Sequence, residues 1–124
     1  MSRKQSELSS FRNAVSGIAY AFRSEPHMRF HVSAGAVVFA LAALLRLPAG
    51  DWLWLLAAVA AVWTAELFNT AIERAVDLVS QERNELAKAA KDTASGATLV
   101  ASLFAAAVGF IVLGPPLWRA LFGG

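Results

Sequence analysis

Four polar side chains recur along one apolar stretch of the chain: Glu66, Asn69, Glu73 and Asp77, at i, i+3, i+7 and i+11. On a helix these positions fall within an arc of about 80°, so three carboxylates and one amide share a single stripe. Leu67, Phe68, Ile72 and Val76 make up the apolar surroundings. Like carboxylates one or two turns apart repel unless a cation lies between them, and a charge inside a membrane helix is costly unless paired or hydrated. The stripe therefore calls for a divalent metal, a cationic partner or protonation. Glu66 follows 14 uncharged residues, Trp52–Ala65, and so reads as an intramembrane ionisable group with a function. For Glu73 and Asp77 the competing reading is a helix that has already emerged into water.

A second cluster opens the last apolar segment. Lys88, Lys91, Asp92 and Ser95 are spaced by three, four and seven and share a face. Ser95, Gly96 and Ala97 are small enough for another helix to approach closely. A lysine beside an aspartate can hold phosphate and order a metal; alone, the pair is equally a solvated helix start. Glu25, just before Pro26, belongs to the same boundary. Carboxylates with an amide suit Mg²⁺, an oxygen-seeking ion that shares its shell with phosphates. A carboxylate in apolar surroundings can act as a general base. Metal, base and lysine facing lipid headgroups together spell phosphoryl transfer to a lipid alcohol. The chain has no G-x-x-x-x-G-K-[ST] loop and no protein-kinase signature. With no cysteine and only two histidines, thiolate chemistry, disulfides and a conventional zinc site are excluded.

The elements that must position these groups are membrane helices. Of 124 residues, 57% are hydrophobic and 16% charged, far from the balance of a soluble enzyme or a nucleic-acid-binding module. The first ten residues are polar, which does not fit a cleavable signal peptide. Leu8, Phe11, Val15, Ile18 and Phe22 repeat with helical period, predicting an amphipathic surface helix over 5–25. Three apolar segments follow, predicting spans at 28–47, 52–79 and 87–114, the last closed by Gly114-Pro115-Pro116, with a boundary loop over 80–92. The fold class is all-α membrane, a single domain over 1–124. Eight lysines and arginines lie in the N-terminal arm and the 80–92 loop, against Arg46 and Arg119 opposite, which places the site on the cytoplasmic side of a multi-pass protein.

The block Glu66-Leu-Phe-Asn69-Thr-Ala-Ile-Glu73-x-x-Val-Asp77, followed by Ala90-Lys91-Asp92-x-x-Ser95-Gly-Ala, resembles the bacterial diacylglycerol kinase / undecaprenol kinase family. Arg23-x-Glu25 and Arg29-Phe30-His31 extend the resemblance over nearly the whole chain. It implies a homotrimeric kinase of the bacterial inner membrane, with ATP as co-substrate, Mg²⁺ as cofactor, a membrane lipid alcohol as acceptor and active sites between subunits. By position, Glu66 would be the general base, and Glu25 and Glu73 would ligate Mg²⁺ on the ATP phosphates. Asp77, Lys91 and Asp92 would contact nucleotide, with Glu82, Arg83 and Asn84 along its edge. Asn69 would sit beside base and metal. Ser95, Asn13 and Arg29 would border the lipid site together with Glu66 and Asn69. Family members often carry an aromatic or histidine pair where this chain has Arg83 and Asn84. His31, where some diacylglycerol-type members have an acid, leans towards undecaprenol.

The trimer that the resemblance implies would also cover seven polar groups that one three-helix subunit cannot enclose. Two other readings stand beside the kinase. A small proton-coupled exporter would use Glu66 as its titrating carrier, but needs only one or two carboxylates near the bilayer centre. A non-catalytic assembly subunit would use the stripe as helix-to-helix glue. Neither calls for a lysine–aspartate pair at the same boundary.

Overall fold

The computed structural model describes residues 2–123, and every element in it is a helix. α1 (Arg3–Ser24) starts at a capping box. The Ser2 hydroxyl accepts from Gln5 N–H, and the Gln5 side chain accepts from Ser2 N–H. It stops because Pro26 disfavours helical backbone at the residue before it; Glu25 is extended, at φ −117° and ψ 114°. Pro26 then opens α2 (Pro26–Leu44) at a position where its missing N–H costs nothing. The elbow is fixed by Arg29, whose guanidinium donates to the carbonyls of Phe22 (3.0 Å) and Arg23 (2.9 Å) at the end of α1.

The turn from α2 into α3 is a Schellman motif. Leu47 N–H donates to Ala42 C=O and Arg46 N–H to Ala43 C=O, with Arg46 left-handed at φ 53°. α3 (Ala49–Val79) has 31 residues and spans about 46 Å, against a hydrocarbon core of about 30 Å. A core of that thickness beginning at Ala49 would end near Thr70, with Glu66 just inside that end and Glu73 and Asp77 beyond it. After a short loop, α4 (Glu85–Phe122) starts on Asn84, whose side chain accepts from Leu86 and Ala87 N–H.

α2, α3 and α4 are each long and apolar enough to cross a membrane. Two features of these helices differ from the expectation from sequence. The segment 80–92 is mostly helix, because Asn84 caps α4 at once, leaving only residues 80–84 as loop. The last helix also does not end at Gly114-Pro115-Pro116. Both prolines lie inside α4, removing the donors that would serve the carbonyls four residues back, a loss spanning helices tolerate. Beyond them Trp118 and Phe122 pair one turn apart, ring centroids 4.7 Å apart.

The buried core, Ala42, Leu55, Ala58, Val108 and Leu113, lies towards the α2–α3 turn. Phe39 stacks on Trp52 beside it, rings 9° from parallel. This buried cluster lies at one end of the three-helix unit; the acidic residues collect at the other, where Ala21, Met28 and Ala94 are also buried.

Candidate functional site

Three pairings between helices define the polar end. His31 of α2 meets Glu66 of α3, with Nε2 3.3 Å from Oε1. Arg74 of α3 meets α1 and the elbow, donating to the Tyr20 hydroxyl (2.7 Å) and to the Glu25 carboxylate. Lys91 of α4 donates to Asp77 of α3 at 2.6 Å. Glu25, Glu66, Glu73, Asp77, Lys91 and Asp92 therefore belong to one end of the molecule.

Glu66 is 6% exposed. Its neighbours one turn away, Val62 and Thr70, are also buried, and the Thr70 hydroxyl is spent on the Glu66 carbonyl (2.9 Å). A carboxylate so placed has little water to solvate it, and the imidazole of His31 is the group that faces it.

Asn69 donates to Glu73 Oε1 at 3.4 Å, while its own Oδ1 is buried and without a donor. Glu73 Oε2 is 3.9 Å from Arg74 Nη1, so Glu25 and Glu73 converge on the same guanidinium. Arg74 also lies over the Tyr20 ring, 5.7 Å from its centroid. Among the described residues no three acidic or imidazole side chains close into a ready cation cage. Two carboxylates with an orphaned amide oxygen nonetheless fit Mg²⁺, which takes few protein oxygens and completes its shell with water and phosphates. Arg74 supplies the positive charge on those carboxylates in this arrangement.

The boundary between α3 and α4 holds an open cleft of about 570 Å³, lined by Asp77, Glu82, Arg83, Asn84, Lys91 and Asp92 among others. Every residue that the resemblance assigns to nucleotide contact, apart from Glu25 and Glu73, lines it. Lys88 spans one turn to Asp92 at 2.6 Å. Asn84 also has the structural task of capping α4.

The residues expected around a lipid are less closely gathered. Asn13 is exposed on α1, and Ser95 is exposed on α4 one turn past Asp92. The Arg29 guanidinium is turned onto the α1 carbonyls and holds the elbow. A separate apolar cavity of about 100 Å³ lies between α2, α3 and α4, lined by His31, Gly35, Val59, Val62 and Trp63 among others. The indole N–H of Trp63 is buried without a partner.

Sequence spacing did not single out Arg74 and Tyr20, nor the pairing of His31 with Glu66. The available signals were a histidine at the start of an uncharged run and an arginine inside an acidic stripe.

The model of the prokaryotic diacylglycerol kinase family matches residues 12–113. The chain is 45% identical over 111 residues to a diacylglycerol kinase of Synechocystis, covering 89% of this chain but 63% of that protein, less than two thirds of its length. It is 35% identical over 108 residues to an undecaprenol kinase of Bacillus subtilis, covering 87% and 88% of the two chains. A diacylglycerol kinase of Pseudomonas aeruginosa is 39% identical over 88 residues, covering 71% and 72%. The exporter reading of Glu66 finds no support among these relatives. A family match across 12–113, over helices that gather the acidic stripe and the lysine–aspartate pair at one end, shows that the chain belongs to the prokaryotic diacylglycerol kinase family, the membrane lipid kinases.

Proposed function

We propose that this protein transfers the γ-phosphate of ATP to the primary hydroxyl of a membrane lipid alcohol, undecaprenol or diacylglycerol, at the cytoplasmic face of the bacterial inner membrane. The observation that carries the reading is a carboxylate, Glu66, buried within a helix long and apolar enough to cross a membrane and followed on the same stripe by Asn69, Glu73 and Asp77. The hydroxyl oxygen attacks the γ-phosphorus, the new P–O bond forms as the bond to the β-phosphate oxygen breaks, and the hydroxyl proton passes to Glu66. Glu25, Glu73 and the amide oxygen of Asn69 would hold Mg²⁺, which neutralises charge on the phosphates when bound. Lys91, set by Asp77, takes phosphate oxygens in the α3–α4 cleft, with Asp92 and residues 82–84 along the nucleotide. Asn13, Asn69 and Ser95 border the acceptor, and Arg29 holds the α1–α2 elbow that carries this end of α2.

A homotrimer accounts for what a single chain leaves uncovered. Asp77 is exposed, Glu73 and Lys91 only half-buried, and Phe68, Leu99, Leu103 and Phe110 present wide apolar faces. Leu8, Phe11 and Val15 of α1 are likewise open, as a helix lying in the headgroup plane requires. The test is labelled-phosphate transfer by purified protein in vesicles offered both lipids, with and without Mg²⁺. The proposal expects a phosphorylated lipid that disappears on chelation; no phosphorylated lipid with either acceptor overturns it.

A further inference from the structure

We infer that His31 is a positioning residue for Glu66, the hydrogen-bond donor that orients the base for attack. The inference rests on the lipid-kinase reading above, with Glu66 as the base. Among the described residues no other side-chain donor pairs with the Glu66 carboxylate. Thr70, the hydroxyl one turn on along the same face, is committed to the Glu66 backbone. The two partners are secluded, with side chains 19% and 7% exposed. A carboxylate there keeps its charge and its orientation through a donor held by the protein rather than through water.

The geometry defines the division of labour. Neutral imidazole has one N–H and one bare nitrogen, and a carboxylate opposite Nε2 favours the tautomer with its proton on Nε2. His31 then directs that N–H towards Oε1, 3.3 Å away, and leaves Oε2 of Glu66 for the acceptor's hydroxyl. The logic is that of any base set by a third group: the orienting residue fixes the angle and touches neither phosphate nor acceptor. The surrounding fold supports this role. Phe30 packs against the imidazole nearly at right angles, centroids 5.3 Å apart. One turn on, Gly35 lets α2 come close to Val59 and Trp63 of α3, bringing His31 within reach of Glu66.

The test compares H31F, which keeps a flat ring without a donor, with H31Q, whose amide N–H can still reach Glu66. Both are assayed in vesicles for kcat, for KM towards ATP and lipid, and for equilibrium binding of a non-hydrolysable ATP analogue with Mg²⁺. H31F is expected to lose about ten- to a hundredfold in kcat, the scale of a misplaced reacting group. Its KM and analogue binding are expected to stay near the wild-type values, and H31Q to recover most of the lost rate. Wild-type kcat in H31F, an H31Q as slow as H31F, or a loss confined to KM overturns the assignment. Wild-type protein that moves no phosphate overturns the kinase reading itself, which separates the two failures.

Discussion

Gly35 is the position where packing and chemistry are most directly coupled. A Cβ built there lies 3.4 and 3.7 Å from the two methyls of Val59 and 3.9 Å from Cζ2 of Trp63, ordinary contact distances. Alanine therefore fits, and replacing glycine inside a helix recovers about 0.8–1 kcal/mol of helix propensity. G35A is expected to be as stable as wild type or up to about 1 kcal/mol more so, with nearly unchanged activity. A leucine adds three more carbons where the first already touches α3. Overpacking of this kind costs about 1–3 kcal/mol and is relieved by moving α2 away from α3. His31, one turn earlier on α2, moves with it, so the 3.3 Å approach to Glu66 opens. G35L should thus lose both stability and kcat, the latter by about tenfold or more. The assay is unfolding by denaturing detergent in mixed micelles, read by circular dichroism, beside phosphate transfer in vesicles. A G35L protein with wild-type stability and rate would refute the claim that close α2–α3 packing sets the base.

Replacing Arg74 with methionine removes the guanidinium between Glu25 and Glu73, so Mn²⁺, read by electron paramagnetic resonance, should bind R74M more tightly than wild type; weaker binding would contradict the view of Arg74 as their resident counter-charge. Lys91→Met should raise KM for ATP while changing stability by no more than about 1 kcal/mol, since the pair with Asp77 is half-exposed. An unfolded K91M, or one with unchanged KM, would count against a nucleotide role. Leu55→Ala opens a hole in the buried core, which should cost about 2–5 kcal/mol on unfolding yet leave KM for ATP alone, because Leu55 lies away from the α3–α4 cleft.

Periodicity along the chain carries much of this architecture. Uncharged runs mark the three membrane-length helices, and helical spacing puts Glu66, Asn69, Glu73 and Asp77 on one stripe. These are local properties of one helix at a time. The two prolines of α4 illustrate the limit: proline usually ends a soluble helix, but a helix crossing a membrane continues through it when its other backbone bonds are kept. The contacts that complete the site were illegible for a different reason. His31 and Glu66 come from different helices, and Arg74 lies 54 residues from Tyr20 and 49 from Glu25. No period connects such pairs; only the packing of α1 and α2 on α3 does. Arg29 shows the converse, a charged residue suited by type to a lipid headgroup that is instead engaged with the backbone carbonyls of α1.

The claim on which the rest depends is that Glu66 takes the proton from the acceptor's hydroxyl. Glu66→Gln keeps the size of the side chain and removes the basic oxygen. Purified E66Q in vesicles with Mg²⁺ and γ-labelled ATP is the direct measurement, alongside its oligomeric state and its binding of an ATP analogue. The account predicts an assembled, nucleotide-binding protein that transfers no measurable phosphate to lipid. An E66Q protein that phosphorylates lipid at the wild-type rate would contradict it.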